Sequence, residues 1–196
     1  MDRLYDNNNT SGNIEIWKVY EDGSEELFFS DHNLIVSGMG EGLLSLFGGI
    51  NSNDITDYQI RYFQVGASSY PESMVNNSIV QLSAPISYSQ YDPSSTTNLV
   101  VSSVAVKVAE TTSSVQAAVL IPWQQIRRVS TTSVLYTLVL PRDSANEITL
   151  NEVGLFMRSP YKINTVPTPL LVAYKKYPFV DKKAEFSLVY KWTIHF

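Results

Sequence analysis

The sequence has no cysteine and only two histidines among its 196 residues. Disulfide frameworks, thiolate nucleophiles and cysteine-based zinc sites are therefore excluded, and so is a histidine-rich metal site. Neither His32 nor His195 lies in the sequence context of a hydrolase nucleophile, so a catalytic triad is not predicted. We expect no catalytic residue, no cofactor and no metal ion.

Charge is also scarce, because charged residues make up 17% of the chain against roughly 25% in typical soluble domains. The formal net charge of -5 argues against nucleic acid as a partner, since phosphate binding needs a concentrated basic face. The start of the chain, "MDRLYDNNNTSGN", has no apolar signal region, and no later run is long enough to span a bilayer. We therefore expect folding in a cytoplasm, without a membrane partner.

The charge that is present is uneven along the chain. Acidic residues dominate near the N-terminus, whereas lysine dominates towards the C-terminus. Opposite poles favour head-to-tail contact with another copy or a complementary neighbour, and the alternative is that both stretches are solvated faces. The residues expected at such an interface are Asp22 and Gly23 near the N-terminus and Tyr174, Lys175 and Lys176 in the basic segment.

The first predicted element is a β-hairpin. The stretch "NIEIWKVYEDGSEELFFS" reads as two strands around an Asp22-Gly23 turn, a dipeptide typical of hairpins. Such a hairpin is either an arm or an edge of the main sheet. We divide the chain into an N-terminal arm or hairpin, 1–32, and a β-sandwich domain, 33–196.

One short α-helix is predicted in "HNLIVSGMGEGLLSLFGGI". Ser37 is a candidate N-cap, and the pair Gly48-Gly49 is a typical helix end. The glycines inside the helix allow close approach of a neighbouring backbone.

The rest of the chain reads as strands separated by polar clusters. The strand "QIRYFQVG" is predicted to be covered on both faces, and the later strands are "VQLSAPISY", "LVVSSVAVKVAE", "SVQAAVLIPW", "VSTTSVLYTLVLP" and "EITLNEVGLFM". This spacing predicts a mainly-β fold, an antiparallel β-sandwich (jelly-roll-like) with one short α-helix and an N-terminal β-hairpin. The final strand alternates, and its predicted core face holds Phe186, Leu188, Tyr190, Trp192, Ile194 and Phe196.

The stretch "LNEVGLFMR" places an acid and a glycine inside an apolar strand. Its apolar residues change sides near Asn151, which predicts a bulge or bend, and Gly154 tolerates one. A buried Glu152 needs hydrogen-bond donors. We expect Glu152 to fix the neighbouring loop.

Several sequence patterns of known chemistry are incomplete. The glycines in "GMGEGLL" lack the third glycine of a dinucleotide fingerprint, and no phosphate-binding loop motif occurs. The loop "NSNDITD" lacks the glycine and closing glutamate of a calcium-binding EF-hand loop. A glycosidase pair of Glu152 with Asp143 or Glu147 is conceivable, but no sequence spacing selects one.

Two loop tyrosines, Tyr88 and Tyr91 in "SYSQYDPSS", are the candidates for stacking on a sugar ring. Tyrosine at a half-buried position is equally common at protein interfaces. The glycan site and the interface therefore remain alternatives for this loop.

The order of several short motifs resembles a known class of protein. An acid, an apolar residue and Gly-Leu are followed by "LLVAYKKYPFVDKK" and a final strand, which resembles the domain of bacteriophage tail-collar and tail-fibre attachment proteins. Upstream, "NLIVSGMGEGLLSLFGG" and "YFQVGAS" resemble the opening of many phage virion proteins. The matching positions are Asn33, Gly38, Gly66, Glu152, Gly154, Leu155, Leu171, Ala173, Pro178 and Lys182.

The resemblance implies a non-enzymatic structural component of a tailed phage particle, assembled in the host cytoplasm. Its partners would be other virion proteins at the collar, tail or baseplate, and copies of itself. The runner-up is a capsid decoration or head-fibre protein. A carbohydrate-binding module and an enzyme are the alternatives from other classes.

Overall fold

The computed structural model describes residues 10–48, 55–86, 119–163 and 166–196, with the backbone alone described at 159–163 and 166–168. Two antiparallel five-stranded sheets form a sandwich, which confirms the predicted fold class. Sheet A contains, in spatial order, β2 (Glu25–His32), β1 (Ser11–Tyr20), β10 (Phe186–His195), β7 (Ser133–Leu140) and β6 (Ile126–Arg128). Sheet B contains, in spatial order, β3 (Leu34–Ile35), β9 (Val166–Lys182), β8 (Ile148–Ile163), β4 (Ile60–Gly66) and β5 (Val119–Leu120).

The N-terminal hairpin belongs to sheet A. All ten residues of β1 pair with β10, from Ser11 opposite His195 to Tyr20 opposite Phe186. The hairpin was expected to be either an arm or an edge of the main sheet, and this pairing makes it the edge of sheet A. The division of the chain at residue 33 therefore follows a hydrogen-bonded hairpin rather than a detached arm. The turn itself is as predicted, with Gly23 at φ +82.

The main core lies between the sheets, and sheet B is also covered on its outer face. Leu155 of β8 and Phe63 of β4 lie in the main cluster together with the apolar face of β10. Their neighbours Phe156 and Tyr62 point the other way, into a second cluster with Ile79 and Leu82. The segment 67–86 therefore packs on the outer face of sheet B, apart from its last residue, Ile86, which lies in the main cluster. Every residue of β4 is buried, as predicted from its sequence.

The predicted helix is α1 (Ser37–Gly48). It lies against β9, and a Cβ on Gly38 would collide with the backbone oxygen of Leu171. This contact confirms the expected close approach at Gly38. Three 3-10 helices complete the described elements, Ile55–Tyr58, Glu72–Met74 and Trp123–Gln125.

Two predictions about strands are wrong. The stretch "VQLSAPISY" forms no strand over residues 80–86 beyond one isolated bridge between Gly66 and Pro85. The amides of Ser83 and Ala84 bind the side chain of Glu152, and only the amide of Ile86 in this stretch reaches β4, at the carbonyl oxygen of Val65. Phe196 is 47% exposed, because it follows the end of β10 rather than continuing its core face. The strand predicted at "LVVSSVAVKVAE" and the first part of "SVQAAVLIPW" lie outside the described residues.

Candidate functional site

The centre of the candidate site is the carboxylate of Glu152, which has no exposed surface. Its Oε2 accepts hydrogen bonds from the amide of Ser83 at 3.1 Å and from the Tyr174 hydroxyl at 2.9 Å, and its Oε1 accepts one from the amide of Ala84 at 2.9 Å. Three donors from two parts of the chain thus surround one buried charge. Glu152 ties segment 67–86 to sheet B, as its sequence context predicted.

A bulge in β8 brings a second side chain to the same segment. The register between β8 and β9 shifts between Leu150 and Glu152, at the position where the apolar pattern changes sides. The buried side chain of Asn151 accepts a hydrogen bond from the backbone amide of Ser68. Its Nδ2 donates one to the carbonyl oxygen of Ser68 at 3.2 Å. The predicted bulge is confirmed, and it lets two consecutive polar residues hold segment 67–86.

Glycine is required beside this carboxylate for steric reasons. A Cβ on Gly66 would collide with the carbonyl oxygen of Ala84 and lie 2.7 Å from Oε1 of Glu152. A Cβ on Gly154 would lie 2.6 Å from Leu82 and 2.7 Å from Leu171. Both glycines leave room for segment 67–86 to approach the sheet.

Tyr174 belongs to this network and not to a surface. Its side chain is fully buried, so its expected role at an interface is wrong. Burial raises the pKa of Tyr174 well above its ordinary value, and the negative charge of Glu152 adds to the shift. The hydroxyl therefore stays protonated and serves as a donor to Glu152, and it also lies 3.2 Å from Oγ of Ser68.

The two lysines that follow Tyr174 find acidic partners within the chain. Nζ of Lys175 lies 2.6 Å from Oδ2 of Asp31, and Nζ of Lys176 lies 2.9 Å from Oε1 of Glu72. A cleft of about 250 Å³ lies beside them, between the end of the hairpin and segment 67–86. The acidic neighbour expected for these lysines is thus supplied, in this structure, by β2 and segment 67–86.

Lys182 is another charged residue inside the fold. It is fully buried, and its Nζ donates to the carbonyl oxygens of Arg142 and Lys183 at 3.1 and 2.9 Å and to the side-chain oxygen of Asn146 at 3.1 Å. None of these acceptors carries a formal charge. Burial lowers the pKa of Lys182 from 10.5 to about 8.

The remaining motif residues have separate places. Leu155 and Ala173 are core residues that pair across β8 and β9, whereas Pro178 is exposed. Asn33 joins the hairpin to β3, and its backbone N–H donates a hydrogen bond to the carbonyl oxygen of Gly12 at 2.9 Å. In the hairpin turn, Oδ1 of Asp22 accepts from the amide of Ser24 at 2.9 Å. Tyr88 and Tyr91 lie outside the described residues.

Sequence reasoning missed one arrangement on sheet B. Arg61 of β4 is buried, and its guanidinium carbon lies 3.6 Å from the ring centre of Trp123. The sequence feature that pointed to it was an arginine in a strand predicted to be covered on both faces. Trp123 comes from a distant part of the chain, so no local pattern connects it with Arg61.

The chemistry available at Glu152 is limited by its surroundings. Asp143 and Glu147 are exposed, whereas Glu152 is enclosed, so no open cleft contains the glycosidase pair considered above. Within the described ranges, no three His, Cys, Asp or Glu side chains gather as metal ligands would. No described helix has the length and apolar character needed to cross a membrane. Comparisons with protein-family models, curated proteins and solved structures find no match.

Proposed function

We propose that the protein is a non-enzymatic structural component of a tailed bacteriophage particle. In this role it docks in several copies on neighbouring collar, tail or baseplate proteins. The observation that carries the proposal is the meeting of four resemblance residues, Gly66, Glu152, Gly154 and Leu171, in one buried cluster. These residues lie together because β4, β8 and β9 are neighbours in sheet B, and at this point Glu152 holds segment 67–86 on the sheet.

The state of Glu152 supports a structural role. A general acid or nucleophile has to reach substrate, and this carboxylate has no exposed surface and three internal donors. Its two oxygens hold segment 67–86 on the sheet. An assembly function requires such a stable outer layer and no reacting group.

The outer face of α1 supports docking on a neighbour. Leu44 and Phe47, three residues apart and therefore on one helix face, are 74% and 83% exposed. Ile55, at the start of the next described segment, is 71% exposed. Exposed apolar surface of this kind is typical of protein interfaces. We assign this face to a neighbouring virion subunit or a second copy of the chain.

Light scattering of the purified protein across salt concentration, with a glycan array on the same sample, tests the proposal. An oligomer that binds no glycan supports assembly, and Phe47→Ser should then reduce its mass. The matched control is Val80→Ser, which alters an exposed apolar residue in segment 67–86. A salt-indifferent monomer that binds a glycan would overturn the proposal in favour of a receptor-binding module.

A monomer without glycan binding requires a test on particles. Antibody labelling of phage particles from the source should then mark the collar, tail or baseplate. Labelling over the whole capsid would favour the decoration or head-fibre alternative. Particles that carry none of the protein would exclude a virion role.

A further inference from the structure

Arg61 is another buried charged residue of sheet B, and among the residues that the structure describes it has no partner of opposite charge. It is 7% exposed, and its Nε is buried with no hydrogen-bond partner among the described residues. The other described buried side-chain atoms without partners belong to neutral groups. Of the guanidinium nitrogens, Nε is the one that is buried without an acceptor in the described part of the chain. An anion at this guanidinium would supply the missing charge partner, so Arg61 is a candidate binding residue.

Local geometry directs Arg61 out of the strand ladder. The register between β4 and β8 shifts between Ile60 and Tyr62, which leaves Arg61 at a bulge, and bulges commonly redirect a side chain next to a functional site. The amide of Ile121 donates to the carbonyl oxygen of Arg61 at 2.8 Å. This bond brings Trp123 beneath the guanidinium, where stacking orients the plane of the arginine and leaves its edge for an acceptor.

A second arginine lies at the same end of these strands. The amide of Arg158 donates to the carbonyl oxygen of Gln59 at 2.8 Å, and its Nη1 donates to Oγ1 of Thr56 at 3.3 Å. Burial lowers the pKa of Arg61, and the positive charge of Arg158 lowers it further. In the described part of the chain, neither arginine forms an ion pair with a carboxylate.

We propose that Arg61, Arg158 and Trp123 form a binding site for an oxyanion, either a phosphate or a carboxylate group. Arginine binds both groups through paired N–H donors. Trp123 is 55% exposed and flanks the guanidinium with an apolar surface. A free phosphate and a carboxylate of a neighbouring protein present the same pair of oxygens. The proposal does not depend on a role in phage particles.

Thermal unfolding in sodium phosphate and in sodium glutarate at pH 7.5 tests the site, with sodium chloride of equal ionic strength as the reference. One anion or both should raise Tm by about 3–5 °C at tenfold excess over Kd. A shift with phosphate alone identifies a phosphate site, and one with glutarate identifies a carboxylate site. The same Tm in all three salts would overturn the proposal.

Variants connect the shift with the site. Arg61→Met keeps side-chain length and should abolish the anion-dependent shift, with Tm in chloride unchanged or raised, because it removes an unpaired buried charge. Arg128→Met is the control, since Arg128 is exposed and donates to the carbonyl oxygens of Ser130 and Thr131. It should keep the full shift. If Arg61→Met lowers Tm equally in chloride and in the anion and keeps the shift, Arg61 is structural and the proposal fails.

Arg158→Gln decides the case in which Arg61→Met does not fold. Arg158 is exposed, so its substitution leaves the core intact. The affinity for the effective anion should fall about tenfold, as expected for loss of a charged hydrogen-bond donor. An unchanged affinity would exclude Arg158 from the site and overturn the proposal.

Discussion

Glu152 and Arg61 are buried charges on two paired strands of the same sheet, and their surroundings are opposite. Glu152 accepts hydrogen bonds from two amides and a hydroxyl, all supplied by the chain. Arg61 stacks on Trp123, and in the part of the chain that the structure describes its Nε has no hydrogen-bond partner. A buried charge whose donors are all internal stabilises the fold, whereas one without a partner indicates a site that is completed from outside.

The path of the chain explains the difference. Beyond Gly66, segment 67–86 turns back over the outer face of sheet B and presents its amides to Glu152. Near Arg61, the described residues that follow β5 offer an aromatic ring and a backbone amide, but no carboxylate. The two ends of β4 thus serve different purposes, one architectural and one binding.

The largest expected effect follows from neutralising Glu152. Glu152→Gln should lower the free energy of unfolding by about 3–4 kcal/mol, because an amide nitrogen would face backbone N–H donors in a buried site. Urea unfolding measures this loss. Glu72→Gln is the control, since Glu72 also links segment 67–86 to sheet B, through Lys176, but is exposed, and the loss should stay under about 1 kcal/mol.

An enzymatic role for Glu152 predicts a different outcome. The Gln variant would then retain wild-type stability and lose only an activity. Stability within about 0.5 kcal/mol of wild type would contradict the structural role given to this residue.

The next effect concerns the close approach at Gly66. Gly66→Ala should cost about 2–3 kcal/mol, because the new methyl group would overlap the carbonyl oxygen of Ala84 and approach Glu152. Gly40→Ala is the matched control in α1, where no heavy atom lies within 4 Å of the added carbon. It should raise stability by about 0.5–1 kcal/mol. If both variants change the free energy of unfolding by the same amount, segment 67–86 does not contact Gly66 closely.

Lys182 is intermediate between the two charges, because it has three acceptors but no counter-charge. Its pKa falls from 10.5 to about 8 on folding, so between these pH values the unfolded state binds more protons. Stability should therefore rise by about 1–2 kcal/mol between pH 8 and 9.5. Urea unfolding of the wild type across this range measures the rise.

Two variants assign that rise to Lys182. Lys182→Met should abolish it, and Lys183→Met, which changes the exposed lysine next to it, should keep it. The range stops below pH 10 because burial raises the pKa of Tyr136 and Tyr190 above their ordinary value of 10. Above pH 10 these tyrosines lose protons in the unfolded state first, which lowers stability as the pH rises. A rise that persists in Lys182→Met would assign the effect to another group.

The sequence predicted the parts of this arrangement that depend on local pattern. The bulge near Asn151 and the buried acid at 152 follow from a change of apolar side, which is visible within a few residues. The partners of these residues could not be predicted, since Ser83 and Tyr174 are far from Glu152 in the chain. A run such as "VQLSAPISY" has strand composition, but two of its amides, those of Ser83 and Ala84, bind a side chain, and composition does not carry that information.

The smallest expected effect concerns a surface ion pair, in contrast to the buried charges. Lys176→Gln removes the ion pair with Glu72, whose side chain is 81% exposed, and should change the free energy of unfolding by less than about 1 kcal/mol. Since that pair lies within one chain, the mass measured by light scattering should also stay unchanged. A lower mass in the variant would mean that Lys176 contacts a neighbouring subunit, as its basic sequence context suggested, and that Glu72 is its partner only in the isolated chain.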